Sequence, residues 1–203
     1  MTLHVGLSGG IASGKSTVSQ RFTQAGFLVI DYDLLAREVV APGSVGLDYI
    51  QREFGPEFIN SEGQLDRARM GTLVFADKAA LQRLEAITHP LIREAAAALS
   101  ATGANVVVHD NPLLIEMGTY RDMDVVVIVD VAVEVQIERM ITNRSMTEVE
   151  ARNRLNNQVS RAERISRADI IIDNSGDLDM LARSVDSVID QLNVLAANET
   201  SRF

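Results

Sequence analysis

An octapeptide, residues 9–16, constrains the fold more than any other segment of the chain. It reads Gly-Gly-Ile-Ala-Ser-Gly-Lys-Ser and fits the phosphate-loop pattern G-x-x-x-x-G-K-[ST]. The pattern is specific only when a buried strand precedes it and a helix follows it. Residues 3–7 are predicted to form a short apolar strand, and residues 16–25 carry apolar side chains at helical spacing before Gly26. The sequence therefore predicts a strand, a phosphate-binding turn and a helix in succession.

The residue types of this loop suit a bound polyphosphate. Glycines allow the main chain to approach phosphate oxygens, and the ammonium group of Lys15 can bridge the outer phosphates. The Ser16 hydroxyl can reach a magnesium ion, and the positive end of the following helix favours an anion. We therefore expect the chain to bind a nucleoside triphosphate. The alternative, a glycine-rich turn without a ligand, is disfavoured by the flanking strand and helix.

Length and composition indicate one α/β domain without thiol chemistry. The chain has 203 residues, of which 46% are hydrophobic, and this is enough to bury a sizeable core. Its net charge of −9 argues against a nucleic-acid partner, because a phosphate backbone requires a basic face. The absence of cysteine excludes disulfides and thiolate metal sites. Neither a signal peptide nor an apolar run of bilayer length is present, so we expect a cytoplasmic protein with no membrane partner.

The distribution of apolar β-branched runs predicts an α/β fold with a five-stranded parallel sheet. Near-continuous apolar strands indicate that helices cover both faces, which gives a three-layer architecture. In such sheets the ligand lies at the carboxyl ends of the strands. The predicted strands are residues 3–7, 27–30, 104–108, 125–129 and 170–172. Polar residues follow four of them at this edge: Asp31 and Asp33, His109 and Asp110, Asp130, and Asp173 with Asn174.

Two insertions interrupt the alternation of strands and helices. Both are predicted to be helical, and small phosphotransferases use such insertions to bind the acceptor and to close over the site. The alternative for the first is packing against the sheet, and for the arginine-rich second it is a solvated charged face. We expect one domain that spans residues 1–203, with a core made of residues 1–33, 104–132 and 169–197. The first insertion, at about 34–103, would bind the acceptor, and the second, at about 133–168, would form a lid.

Three side chains outside the loop are candidates for chemistry, and each has a structural alternative. Asp33 can act as a general base, or it can cap a helix predicted over residues 34–40. Asp110 ends an apolar strand like a Walker-B carboxylate and can hold magnesium, or it can cap the next turn. His89 can contact an acceptor, or it can anchor the start of a helix before Pro90.

Arginines are concentrated in the second insertion. Arg139 and Arg144 lie near its start, where a planar, permanently charged guanidinium can neutralise a transferring phosphoryl group. We expect most of the others to lie in solvent and to pair with Glu148, Glu150 or Glu163. These others are Arg152, Arg154, Arg161, Arg164 and Arg167.

Several short segments, spread over nearly the whole length of the sequence, match one known family pattern. The phosphate loop is shared by many kinases, whereas Ala-Arg-Glu-Val-Val, His-Pro-Leu-Ile and Pro-Leu-Leu in this order are far more restrictive. The matching segments are Gly6 to Thr17, Ile30 to Asp33, Ala36 to Val40, Pro42-Gly43, Phe54-Gly55, Gly63 to Arg67, Val74-Phe75, His89 to Ile92, Pro112 to Glu116, Gln136 with Arg139, Gln158, Ala168-Asp169 and Asp173 to Gly176. On these segments the sequence resembles the dephospho-CoA kinase family, and it departs from the family pattern at Ser8, Ala12, Tyr32 and Asn111.

The resemblance implies a P-loop NTPase fold like that of nucleoside-monophosphate kinases, and a magnesium-dependent transfer of the γ-phosphoryl group of ATP to the ribose 3′-hydroxyl of dephospho-CoA. It implies that Lys15, Asp33 and Arg139 are catalytic. We expect nucleotide contacts at Ala12, Ser13, Gly14, Lys15, Ser16, Thr17, Arg144 and Asn174. We expect acceptor contacts at Asp33, Arg37 and His89, and metal ligands at Ser16 and Asp110. Another small-molecule kinase of this fold and a non-enzymatic nucleotide switch remain as alternatives.

Overall fold

A computed structural model describes the backbone of residues 1–200 and the side chains of residues 1–198. The strands are β1 (Leu3–Gly9), β2 (Leu28–Asp31), β3 (Val106–Asp110), β4 (Val125–Asp130) and β5 (Ile170–Asp173). The α-helices are α1 (Lys15–Gln24), α2 (Tyr32–Glu38), α3 (Val45–Phe54), α4 (Arg67–Ala76), α5 (Lys78–Ser100), α6 (Val133–Arg144), α7 (Glu148–Asn156), α8 (Arg161–Ser166) and α9 (Leu178–Thr200). Within these residues, no helix has the length and apolar character needed to cross a membrane.

The five strands form one sheet in the order β2-β3-β1-β4-β5, and the predicted parallel α/β sheet is confirmed. Strand β1 lies at the centre and pairs in parallel with both β3 and β4. All five strands continue beyond their predicted ends, and each extension contains a polar residue. His109 pairs with Gly6, and Asp110 pairs with Leu7. The ladder continues because backbone pairing does not depend on the polarity of the side chains.

Residues Met1–Ile30 and Gly103–Phe203 form one compact unit, which contains the sheet core. One face of the sheet packs against α1 and α9, where Phe22, Val185 and Leu192 are buried with the side chains of β1. The other face packs against the segment after β3 and against α8. Covering both faces explains why the strands are almost entirely apolar.

Residues Asp31–Thr102 form a second compact unit of helices α2 to α5. Its core contains Val40, Ile50, Phe58 and Met70, with other apolar side chains packed against them. Pro90 lies inside the long helix α5, so the hypothesis that His89 anchors a helix start is wrong. A proline removes one backbone N–H from a helix, and a helix of 23 residues retains its other hydrogen bonds.

Helix α2 begins earlier than the sequence pattern predicts. It spans Tyr32–Glu38 instead of residues 34–40, and its N-cap is Asp31. The Asp31 carboxylate accepts hydrogen bonds from the N–H groups of Asp33, at 2.8 Å, and Leu34, at 3.0 Å. Asp31 keeps an extended backbone (φ −84°, ψ 109°), which is the conformation of an N-cap residue. The cap hypothesis for Asp33 is therefore wrong, and Asp33 lies exposed in the first helical turn.

Candidate active site

The phosphate loop joins the carboxyl end of the central strand β1 to helix α1. Two of its residues have positive φ, Ala12 at 58° and Gly14 at 90°. The N–H of Ser13 donates to the carbonyl of Gly10 at 3.0 Å and closes a turn. Gly14 occupies the N-cap position of α1 and has no side chain with which to cap it. The first N–H groups of a helix lack intrahelical acceptors, so they are positioned to bind an anion here.

Gly14 cannot be replaced by a larger residue without a collision. A Cβ atom at this position would overlap the side-chain amide of Asn174, and the positive φ is also unfavourable for L side chains. The loop therefore needs glycine at this position for both steric and conformational reasons. The loop after β5, which carries Asn174, packs directly onto the phosphate loop.

Lys15 and Asp110 form an ion pair at the carboxyl edge of the sheet. Their side chains are only 19% and 7% exposed, respectively. Lys15 begins α1 and Asp110 ends β3, so the fold brings together a cation and a carboxylate that are distant in sequence. Asp110 does not cap the following turn; the side chain of Asn111 accepts the N–H of Leu113 at 2.9 Å instead. The capping alternative for Asp110 is therefore wrong.

The two serines of the loop differ in exposure. The Ser16 hydroxyl belongs to an exposed residue in the first turn of α1. The Ser13 hydroxyl is buried and has no hydrogen-bond partner within the described part of the chain. The side chain of Ser13 is therefore enclosed by the protein, whereas that of Ser16 is open to solvent.

The donor set at the loop suits a divalent cation shared with a nucleotide. Residues 1–198 contain no group of three or more His, Asp or Glu side chains arranged to hold a metal ion. Mg²⁺ characteristically uses one or two protein oxygens together with substrate phosphates and water. The Ser16 hydroxyl and the Asp110 carboxylate fit that requirement.

Arg139 and Asn174 contact the outer side of the loop. The Arg139 guanidinium donates to the carbonyls of Ala12, at 3.3 Å, Ser13, at 3.5 Å, and Asn174, at 2.9 Å. The Asn174 amide donates to the carbonyl of Ser13 at 2.6 Å. These bonds occupy the carbonyls of Ala12 and Ser13 and so restrain the loop. Arg144 ends α6 and is exposed.

Two glutamines from segments that fit the family pattern, Gln136 and Gln158, contact the loop at Ile11. The Gln136 side-chain amide donates to the carbonyl of Ile11 at 2.6 Å. The Gln158 side-chain oxygen accepts the N–H of Ile11 at 3.0 Å. One sequence signal was available, because Gln136 interrupts the apolar face of α6 that contains Ile137 and Met140.

Four of the five other arginines of the second insertion, Arg152, Arg154, Arg161 and Arg167, are exposed as predicted, and Arg164 is the exception. Arg164 is buried, and burial lowers the pKa of its guanidinium. Hydrogen bonds to Asp130 raise the pKa of Arg161, and the two groups lie 2.6 Å apart. Arg152 pairs with Glu148 at 2.7 Å, and this is the kind of surface pair that was predicted.

A pair of histidines lies on strands β1 and β3. The Nε2 atom of His109 is 3.0 Å from Nδ1 of His4, so one ring donates and the other accepts. His109 is 6% exposed. Burial, and secondarily the charge of His4, lowers the pKa of His109 from 6.5 to about 4. His109, which directly precedes Asp110, is therefore neutral near pH 7.

The residues predicted to bind an acceptor lie in the second unit. Asp33 and Arg37 are exposed on α2, and His89 is half-buried on α5. Helix α2 packs against α5. The acceptor candidates thus belong to two adjacent helices of one compact unit.

Comparisons with known proteins identify the family. The family model described as dephospho-CoA kinase matches residues 3–180. A dephospho-CoA kinase from Thermobifida fusca is 49% identical over 192 residues, which cover 94% of this chain and 96% of that protein. A crystal structure from Thermus thermophilus superposes with a TM-score of 0.81 and 31% identity, covering 94% of this chain and 98% of the other.

Two further structures separate the family from the wider fold. Dephospho-CoA kinase from Campylobacter jejuni has a TM-score of 0.70 and 26% identity, covering 95% of this chain and 98% of its own. Shikimate kinase from Bacteroides thetaiotaomicron, at 17% identity and a TM-score of 0.56 over 94% of this chain and 98% of its own, shares the fold alone. The predicted P-loop kinase fold is confirmed, and the chain belongs to the dephospho-CoA kinase family.

Proposed function

We propose that the chain transfers the γ-phosphoryl group of ATP to the ribose 3′-hydroxyl of dephospho-CoA, using the residues described above. As a member of its family it is an ATP-dependent kinase that converts dephospho-CoA to coenzyme A. The observation that carries the residue assignment is the Lys15–Asp110 pair at the edge of the phosphate loop. It supplies the cation and the carboxylate that phosphoryl transfer requires beside a polyphosphate.

The donor nucleotide would bind through the backbone of residues 12–17. The N–H groups at the start of α1 would face the phosphates, and the Lys15 ammonium would exchange its bond with Asp110 for bonds to the outer phosphates. Ser16 and Asp110 would hold Mg²⁺, which neutralises phosphate charge when bound. The transition state is largely dissociative, so the protein mainly aligns the reactants and stabilises their charge.

Asp33 is our candidate for the general base. Two observations support this assignment: Asp31 performs the capping, and the Asp33 carboxylate is exposed directly after a strand of the sheet. The carboxylate would accept the proton of the 3′-hydroxyl as the oxygen attacks phosphorus. Arg37 and His89 would orient the acceptor, within an acceptor-binding region at about residues 34–103.

Arg139 would support transfer through the loop, because its guanidinium donates to two carbonyls of the loop and to the carbonyl of Asn174 beside it. Arg144 is exposed and would approach the phosphates directly when the lid at about residues 133–168 closes. Closure would exclude water and suppress hydrolysis of ATP. We also propose that the protein acts in the cytoplasm on small molecules rather than on nucleic acid, since its net charge is −9.

The test is ADP release, followed with ATP and Mg²⁺ in the presence of different acceptors. We expect rapid release with dephospho-CoA, and a product phosphorylated at the 3′ position when it is analysed by NMR. AMP and adenosine serve as acceptors of related chemistry. Equal release without any acceptor, or faster release with AMP, would refute the proposed acceptor.

A further inference from the structure

Ile11 is held in place at its N–H, its carbonyl and its side chain. Its N–H donates to Gln158 at 3.0 Å, and its carbonyl accepts from Gln136 at 2.6 Å. Its side chain packs against the apolar cluster of Ile137, Met140 and Ala151. A loop residue bonded in this way has little freedom to rotate either of its peptide planes.

The next residue shows why this restraint matters. Ala12 has a φ of 58°, a left-handed conformation that residues with a Cβ atom seldom adopt. Such a conformation persists only when the surroundings determine it. With the carbonyls of Ile11 and Ala12 bonded to Gln136 and Arg139 on the outer side, the following N–H groups can converge on an anion.

Both glutamines are themselves firmly placed. Gln136 is 1% exposed on α6. Gln158 precedes Val159, whose N–H donates to Glu116 at 3.3 Å and whose carbonyl accepts from Arg164 at 2.6 Å. Because Val159 is held by these two bonds, the backbone next to it restrains the side chain of Gln158 where it contacts the loop.

The buried end of Gln136 argues against a role in packing alone. Its Oε1 atom is buried and has no hydrogen-bond partner in the described part of the chain. Burying an unpaired amide oxygen is unfavourable, and an apolar side chain of similar length would avoid that cost. The bond from its Nε2 atom to Ile11 is the feature that an apolar residue cannot reproduce.

We infer that Gln136 and Gln158 are positioning residues that fix the peptide groups of Ile11 and so set the affinity of the phosphate loop for ATP. Neither touches the reacting atoms. The inference rests on the proposed ATP-binding function of the loop. It assigns opposite roles to the two amides, because Gln136 must donate a hydrogen bond and Gln158 must accept one.

The experiment compares wild type with Gln136→Met and Gln158→Met by calorimetric titration with ATP, steady-state kinetics and thermal unfolding. We expect each variant to bind ATP about threefold to tenfold more weakly, the effect of one lost hydrogen bond. The kcat at saturating ATP and the midpoint of unfolding should stay close to wild type. A lowered unfolding midpoint with unchanged ATP affinity would show a structural role and overturn the inference.

Glutamate substitutions test the direction of each bond. Gln158→Glu keeps an acceptor for the N–H of Ile11, whereas Gln136→Glu loses the donor to its carbonyl. Both add a carboxylate beside Ile11, but Gln136 is 1% exposed whereas Gln158 is half-buried. The unfolding midpoint of each variant is therefore measured beside its ATP affinity, which separates the cost of burying the charge from the effect of the lost hydrogen bond. Gln158→Glu should bind ATP more tightly than Gln136→Glu. Equal affinities, or the reverse order, would contradict the proposed roles.

Gln191→Met is the matched control. Gln191 is exposed on α9, where its amide donates to Ser187, and the substitution should leave ATP affinity unchanged. Acceptor-dependent ADP release by the wild type is measured in the same series. Its absence would refute the proposed function itself, whereas an active wild type with unaffected methionine variants would refute only the role of the glutamines.

Discussion

The Asp31 carboxylate accepts the N–H of Asp33 at 2.8 Å, so two aspartates that are two positions apart have different roles. Asp31 begins helix α2, and the exposed Asp33 carboxylate is available to a substrate. The charge at one position can therefore be removed without removing the cap at the other. This separation permits a clean test of the proposed general base.

We predict that Asp33→Asn lowers kcat by about 10²–10⁴-fold, the usual contribution of general-base assistance. The unfolding midpoint and ATP affinity should be retained, because the donor phosphates bind at the phosphate loop. Steady-state kinetics and ATP titration measure both effects. Asp31→Asn is the matched control: asparagine caps a helix about as well as aspartate, so kcat should remain near wild type. Wild-type kcat in Asp33→Asn would exclude Asp33 as the base.

The Lys15–Asp110 ion pair predicts that activity and stability respond differently to substitution. Lys15→Ala should abolish measurable transfer and destabilise the protein by about 1–3 kcal/mol, because the carboxylate of Asp110 loses its partner in a mostly buried position. The double variant with Asp110→Asn should recover most of that stability but none of the activity. Urea unfolding and ADP release provide the two measurements. Substantial transfer by Lys15→Ala would contradict the assignment of the site.

Arg139→Lys should raise the KM for ATP and lower kcat/KM by about tenfold or more. The guanidinium reaches the carbonyls of Ala12, Ser13 and Asn174 together, and a single ammonium group cannot span them. Initial-rate kinetics at saturating dephospho-CoA provide the measurement. Arg152→Lys, at an exposed pair with Glu148, controls for the loss of a guanidinium and should have no effect. Identical kinetics in the two variants would remove Arg139 from the site.

His109 predicts a loss of stability in mild acid. Its pKa is lowered to about 4 in the folded protein, from 6.5, so the unfolded chain binds more protons between these values. The contribution of neutral His109 to the free energy of unfolding is complete above pH 6.5 and declines as the pH falls towards 4. The slope of this decline is at most about 1.4 kcal/mol per pH unit. Urea unfolding between about pH 7 and pH 5 should show a smaller slope for His109→Gln.

His89→Gln is the control for this pH dependence. His89 is half-buried on α5, in the other compact unit, so His89→Gln measures how far the loss of a different histidine changes the slope of stability against pH. The slope, rather than the absolute stability, is the decisive quantity, because replacing a buried His109 also changes packing. An equal slope in wild type and His109→Gln would show that His109 does not cause the effect.

The sheet and the loop were predictable because they depend on local sequence. Continuous β-branched runs specify buried parallel strands, and the spacing of glycines, Lys15 and Ser16 specifies the turn. The start of α2 was not predictable, because both Asp31 and Asp33 are good caps and the choice depends on where the strand before them stops. Pro90 was misleading for a related reason: proline often marks a helix start, but here surrounding hydrogen bonds sustain the helix.

Contacts between residues that are distant in the sequence could not be predicted from local sequence patterns. Nothing near Gln158 in the sequence indicates that its side chain meets Ile11, 147 positions away. The pairing of Lys15 with Asp110 is similar, since each residue type was recognised but their contact depends on the adjacency of β1 and β3. The burial of Arg164 also follows from tertiary packing, which a charge pattern does not reveal.

The residues that hydrogen-bond to the phosphate loop lie far after it in the sequence, so the ribosome synthesises them after the loop. The hydrogen bonds from Gln136 and Asn174 span 125 and 161 residues, respectively, and β1 pairs only with strands that follow it. At typical ribosomal rates these partners are synthesised roughly six to thirty seconds after the loop itself. The nascent loop therefore lacks its carbonyl partners during that interval. The capacity to bind nucleotide is acquired late in translation, when the segments that shape the loop have joined the sheet.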